Sequence, residues 1–320
     1  MNARQYDAVS WLRRYGTTLF LVALIIFFGV ENSRFLSIRN ITNILTEVSI
    51  YGIIAVGMTF VILTAGVDLS VGSLLAFAGM AGAVVMRAVG TDYSWGWLVA
   101  LLTATLAGAL VGYLQGKAVT IFSIPPFIVT LGGLTVWRGT TLILNEGSPI
   151  SGFDERYRWW GTGAILAIPV PVLLFVLIAA AGLIVQRYTR FGRHIYAVGG
   201  NPEAARLNGL DVMAIITSVY LMVGALAGLS GFLLSARLGA AEAVAGVGYE
   251  LRVIASVVIG GASLAGGRGG VGGTIVGALL IGVLTNGLVI MHVSSYWQQV
   301  VIGLIIVAAV AFDTYAKSRQ

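Results

Sequence analysis

The chain has 320 residues, of which 58% are hydrophobic and only 10% charged, against about a quarter charged in an ordinary soluble domain. Too little polar surface remains to face water all round, so the bilayer is the solvent this composition demands. The absence of cysteine excludes disulfides, thiolate metal sites and thiol redox chemistry, and the net charge of +6 matters less than where it falls. Taking about 20 apolar residues for one crossing, helices are predicted in chain order at about 16–30, 48–65, 70–88, 96–116, 121–142, 163–186, 213–236, 251–265, 271–291 and 296–312. Arg13 and Arg14 precede the first apolar run as they would in an export signal, but Glu31, Asn32 and Ser33 follow it instead of a small-residue cleavage site. An uncleaved first helix is expected.

The fold class expected is therefore an all-α integral membrane protein, a bundle of about ten transmembrane helices forming one domain over residues 1–320. With a cytoplasmic amino terminus, Arg4, Arg13, Arg14, Lys117, Arg187, Arg190, Arg193, Arg206, Arg268, Lys317 and Arg319 lie inside, together with Asp7, Asp68, Glu203, Asp211 and Asp313. Basic residues outnumber acids on that side and balance them on the other, the bias expected when both termini are cytoplasmic. Trp95, Trp97, Trp137, Trp159, Trp160, Tyr296 and Trp297 fall toward the outer ends as interfacial anchors. Glycines spaced by four, at Gly108, Gly112 and Gly116, at Gly224 and Gly228, and at Gly269, Gly273 and Gly277, predict close helix packing, because apolar burial does not drive association in lipid.

Enzyme chemistry has little to stand on. Gly267, Gly269 and Gly272 fit a dinucleotide fingerprint, but no strand–turn–helix unit surrounds them and no acid follows at the ribose-binding distance. There is no phosphate-binding loop motif, the only histidines are His194 and His292, and no carboxylate–histidine cluster has metal spacing. Neither a metal nor a nucleic acid is expected as a partner. The longest inner connection, about Arg187 to Val212, is too small to bind and hydrolyse a nucleotide, so any ATPase must be a separate chain.

That connection is the most informative stretch. Asn201 suits a helix cap, Pro202 the first helical position, Glu203 the positive end of the dipole and Gly209 a left-handed stop. A helix of about two turns at 201–208 follows, and one so short must dock on something: either its own membrane domain or, through Ala204, Ala205, Arg193 and Arg206, a second protein. Glu203-Ala204-Ala205 followed by Gly209 resembles the coupling motif of ABC importer permeases, in which a short cytoplasmic helix sits in a cleft of the ATPase subunit.

The resemblance extends over Gly57–Ser73, Pro126–Gly132 and Ala255–Gly267, which are similar to the ribose/xylose/galactose branch of the family shared with branched-chain amino acid permeases. It departs at Arg252, where an acid more often follows Glu250-Leu251, so charge pairing at that outer end is expected to differ. The resemblance implies a monosaccharide importer in the bacterial inner membrane, with a second copy of the chain, a periplasmic sugar-binding protein, and ATP and magnesium held by the partner ATPase. It assigns coupling to Asn201, Pro202, Glu203, Ala204, Ala205, Arg206 and Gly209. No cofactor is expected in this chain itself.

Asp68 and Ser70 stand where an N-cap for the third helix would stand. Irregular backbone at membrane depth is otherwise tolerated only when buried in protein or lining a cavity, so they and Gly66, Gly72, Gly260, Gly261, Gly266 and Gly267 are equally candidates for a pathway or gate. Arg156, Arg158, Arg237 and Arg252 sit in short outer connections, either as solvated or snorkelling charges or as partners for carboxylates on the binding protein. The rivals are a branched-chain amino acid permease of the same architecture and a secondary transporter or channel. The second would leave a coupling helix idle, and few charges fall mid-span to serve as relays.

Overall fold

The computed structural model describes residues 3–89 and 94–317. Among them run α1 (Ala3–Glu31), α2 (Ile38–Leu63), α3 (Val71–Val89), α4 (Gly96–Ile121), α5 (Pro126–Leu144), α6 (Glu155–Thr162), α7 (Val170–Tyr188), α8 (Arg190–Gly200), α9 (Pro202–Leu207), α10 (Val212–Leu238), α11 (Tyr249–Ile259), α12 (Val271–Ile290) and α13 (Ser295–Lys317). The strands are minor: β1 (Ile150–Ser151) pairs antiparallel with β4 (Ala240–Ala241), and β2 (Ala164–Ile165) pairs with β3 (Ile168–Pro169). Every apolar run read from the sequence becomes a helix. Seven of them among the described residues, α2, α3, α4, α5, α7, α10 and α12, are long and apolar enough to cross a membrane. The expected count of ten also includes α1, α11 and α13, which that criterion does not number among the seven. Arg319, counted above among the inner basic residues, lies outside the described residues.

The bundle is built around α2. Its apolar window is 89% buried, whereas that of α5 is 17% buried and forms the periphery. α10 packs on α2, α3 and α4, and its seam with α4 is made of backbone. A Cβ on Gly108 would collide with the Gly224 carbonyl, one on Gly112 with that of Tyr220, and one on Gly228 with that of Ala104. The four-residue glycine spacing thus does what it predicted, letting two helix backbones touch where a side chain would hold them apart. α11 and α12 repeat the device, with Gly273 and Gly277 against the carbonyls of Gly260 and Ser256.

Several boundaries depart from the hydrophobic pattern, for a tertiary reason in α2 and for local ones elsewhere. α2 begins at Ile38 rather than near 48: the Ser37 hydroxyl accepts from the Asn40 amide at 3.3 Å, and the Asn40 and Asn286 side chains exchange amide hydrogen bonds of 2.9 and 3.0 Å across to α12. A polar first segment is thereby held helical by a partner that periodicity does not see. α5 waits for Pro126, and α7 begins only after the β2–β3 turn. α11 stops at Ile259, not near 265, because Gly261 has a φ of +91° and starts a glycine-rich return over 260–270. With 11 residues it rises about 16 Å, half a hydrocarbon core.

Candidate functional site

The connection between α7 and α10 holds two helices where one was expected. α8 occupies Arg190–Gly200, capped by the Thr189 hydroxyl on the Gly192 amide at 3.1 Å, with Ile195, Val198 and Gly199 buried. Its apolar stripe is short and interrupted by Arg193 and His194, which hid it from the search for spans. α9 follows without a linker, since the Asn201 amide still donates to Ala197 at 3.1 Å while the Asn201 side chain accepts from the Ala204 amide at 2.9 Å. Pro202 takes the first helical position. The stop is also as predicted: Gly209 has a φ of +81°, its amide donates to Arg206 and that of Leu210 to Ala205, which satisfies two terminal carbonyls.

Only Ala205 of α9 is buried against the chain's own domain; Glu203, Ala204, Arg206 and Leu207 are exposed. The two alanines read together from the sequence therefore divide, one facing the domain and the other open to a partner. Glu203 and Arg206 form a 2.8 Å ion pair along the exposed side, and the hydrogen bond from Arg206 holds the Glu203 carboxyl below its ordinary value.

The loop 64–70 between α2 and α3 is more constrained than a cap alone requires. Asp68 is fully buried, and its Oδ1 accepts from the Ser70 amide at 2.8 Å and the Ser70 hydroxyl at 2.6 Å. Gln115 of α4 donates to that hydroxyl at 2.9 Å. Asp68 thus bonds the residue before α3 and not the first helical amides, while Ser70 is tied to α4. The other carboxylate oxygen, Oδ2, is buried with no partner among the described residues, an arrangement that costs about 1–3 kcal/mol or more. The left-handed residue of this turn is Ala65, with φ +61°. Gly66 serves proximity instead, because a Cβ there would meet the Tyr220 hydroxyl at 2.9 Å. Gly72 lies inside the first turn of α3, pressed against Gly246 and Glu250. The other candidate glycines form the return after α11: Gly261, Gly266 and Gly267 have positive φ, whereas Gly260 keeps a helical φ and packs on Gly273.

None of the four arginines expected in outer connections sits in a bare connection. Arg156 and Arg158 are exposed on α6, which Asp154 caps through the Tyr157 amide at 3.0 Å. Tyr157 anchors that helix by a 2.7 Å hydrogen bond to Ser235 and ring contacts with Phe153 and Phe232. Arg237 closes α10, against whose backbone Gly161 of α6 rests. Arg252 is different: it lies in the first turns of α11 and pairs with Glu47 of α2 at 2.9 Å. The departure noted in the sequence has a partner in the fold, and that pair was invisible because 205 residues separate its members. Gln186 and Tyr196 were also missed; both reach the 260–270 return, and only their place in three dimensions marks them.

The model of the family described as branched-chain amino acid transport system / permease component matches residues 40–310. The chain belongs to that family. Among its relatives, the ribose import permease protein of Escherichia coli K12 is 42% identical over 98% of this chain and 97% of its own length. The D-allose transport system permease protein of the same organism is 40% identical over 96% and 93%, and the xylose transport system permease protein of Haemophilus influenzae is 37% identical over 97% and 98%. No solved structure matches the chain. As a member of this permease family with seven apolar helices of spanning length, it is a multi-pass membrane protein.

Proposed function

We propose that this chain is the membrane permease of an ATP-driven monosaccharide importer in the bacterial inner membrane, working with a separate ATPase, a periplasmic sugar-binding protein and a second copy of itself. The observation that carries the reading is α9. A two-turn helix, capped at both ends and fused to α8, leaves Glu203, Ala204, Arg206 and Leu207 exposed, as a helix that docks in a cleft of another protein must. On this reading all ten apolar helices cross or enter the bilayer, with α11 as a half-span, and both termini are cytoplasmic. ATP and magnesium belong to the partner. Closure of the ATPase dimer moves α9, and Asn201, Pro202, Glu203, Ala204, Ala205, Arg206 and Gly209 form the coupling element.

The half-satisfied Asp68 supports a gate at 64–70: a buried carboxylate oxygen without a partner favours a second arrangement of the loop in which it finds one. Ser70, Gly66 and Gly72 move with it, and Gly260, Gly261, Gly266 and Gly267 give the inner return its freedom. Arg156, Arg158 and Arg237 form the outer basic patch for binding-protein carboxylates, orienting the encounter more than supplying affinity. Arg252 is engaged with Glu47 and contributes less. A loaded binding protein drives the cycle only through its different affinities for the two states.

The family description names branched-chain amino acids, whereas the relatives described above are named for ribose, allose and xylose. The test is uptake into vesicles holding the chain with its ATPase and binding protein, using labelled D-ribose, D-allose, D-xylose and L-leucine. Accumulation of one sugar with ATP, abolished by Glu203→Arg while the assembled complex persists, is expected. Accumulation of leucine transfers the assignment to the amino acid branch, and movement of solute by this chain alone overturns the importer reading.

A further inference from the structure

The start of α12 has no cap of its own. Its N-cap residue is Gly270, which offers no side chain, and a helix leaves its first amides without internal partners. The missing acceptor comes from α7: the Gln186 Oε1 accepts from the Val271 amide at 2.9 Å. Gln186 is in turn held by α8, because its Nε2 donates to the Tyr196 hydroxyl, and that hydroxyl donates to the Gly269 carbonyl at 2.6 Å. Gly269 has a φ of +121°, which fixes the direction of its carbonyl in a way few other residues permit.

The same corner is closed by backbone. The Gly267 amide donates to the last residue of α2, Leu63, at 3.0 Å, and Gly199 of α8 approaches both so closely that a Cβ would collide with the Leu63 carbonyl. α8 therefore cannot shift against this corner without disturbing the 260–270 return. Tyr196 lies five positions before the α9 cap Asn201, on a helix that runs into α9 without a linker. This tyrosine and glutamine give a displacement of α9 a short, polar route to α11 and α12.

We infer that Gln186 and Tyr196 are positioning residues that carry the movement of α9 to the 260–270 return and hence to α11 and α12. This rests on the coupling-helix reading above and names its internal relay. Neither residue touches the transported sugar or the ATP. Their role is to make the inner end of α12 follow α8, where a free glycine-rich return would absorb the displacement.

The experiment measures sugar moved and ATP hydrolysed in the same vesicles, using whichever of D-ribose, D-allose and D-xylose the native complex accumulates. Tyr196→Phe keeps the ring and removes only the hydroxyl. The amount of assembled complex and its basal ATP hydrolysis are expected to match the native complex, while sugar moved per ATP falls roughly three- to tenfold, the scale of one or two lost hydrogen bonds. Gln186→Leu is expected to do the same, and the double variant to be no worse than the poorer single, because both interrupt one relay. Full sugar per ATP in Tyr196→Phe, or a loss only in proportion to assembled protein, overturns the relay. Glu203→Arg in parallel separates the two ideas. If it abolishes uptake while Tyr196→Phe retains full coupling, the relay alone is wrong. If Glu203→Arg leaves ATP-driven uptake unchanged, the coupling-helix reading itself fails and the relay falls with it.

Discussion

The seam between α4 and α10 and the corner where α8 meets the 260–270 return are both made of glycine, yet they are held differently. In the seam, backbone lies on backbone along several turns, with Gly108, Gly112, Gly224 and Gly228 each refusing a Cβ. Dispersion over a long, complementary surface holds it, and close-packed surfaces tolerate little displacement. In the corner, the contact is a few directed hydrogen bonds, from Tyr196 to Gly269, Gln186 to the Val271 amide and Gly267 to Leu63. Such bonds contribute about 0.5–1.5 kcal/mol each and tie the return to α8 and α7 at a few defined points. The same residue type thus lets helix backbones touch in one place and shapes a hydrogen-bonded return in another, where Gly266, Gly267 and Gly269 have positive φ.

The comparison can be broken at its rigid side. Gly112→Leu drives a side chain into the Tyr220 carbonyl, and overpacking of this kind costs about 1–3 kcal/mol or more. The expected outcome is a large fall in the yield and thermal stability of detergent-solubilised protein; a native melting temperature would show that the seam is looser than drawn. On α9, which leads into the corner, Glu203→Arg should leave melting unchanged while uptake falls to background.

A smaller effect tests a contact belonging to neither region. Arg252→Glu sets a carboxylate beside Glu47, and because Arg252 and Glu47 are 24% and 39% exposed, the destabilisation should be only about 0.2–1 kcal/mol. The exchange Glu47→Arg with Arg252→Glu should restore the native melting temperature, and failure of the exchange would show that the pair is not what orients this end of α11.

The smallest effect concerns pH. The hydrogen bond from Arg206 lowers the Glu203 carboxyl, so its contribution is complete above the ordinary carboxylate range and is lost only as pH falls through the lowered value. α9 should therefore be indifferent to pH around neutrality. A carbon NMR titration of Glu203 should give a midpoint below the ordinary value of 4.5, returning toward it in Arg206→Ala; an unchanged midpoint would remove the pair.

Much of the site near Glu203 was legible because its determinants are local. Asn201, Pro202 and Gly209 act within one turn of their own helix, so cap, start and stop follow from residue type and spacing. Asp68 was only half legible. Its place before α3 suggested a cap and its bonds from Ser70 are local, but the tie from Ser70 to Gln115 depends on α4, 45 residues away. Arg156 and Arg158 were found as charges and misjudged as loop residues, since α6 is short and polar and is helical because Asp154 caps it and Tyr157 anchors it.

The sequence by itself determined the solvent, the helical class, the existence of every apolar helix, the glycine seams and the caps of α9, because hydropathy, small-residue spacing and capping are properties of neighbours along the chain. Only the tertiary structure decided where α2 begins, that Arg252 meets Glu47, and that Gln186 and Tyr196 close on the start of α12. Each of those depends on a hydrogen bond, ion pair or backbone contact between groups far apart in sequence, and a single chain read in order carries no distance between them.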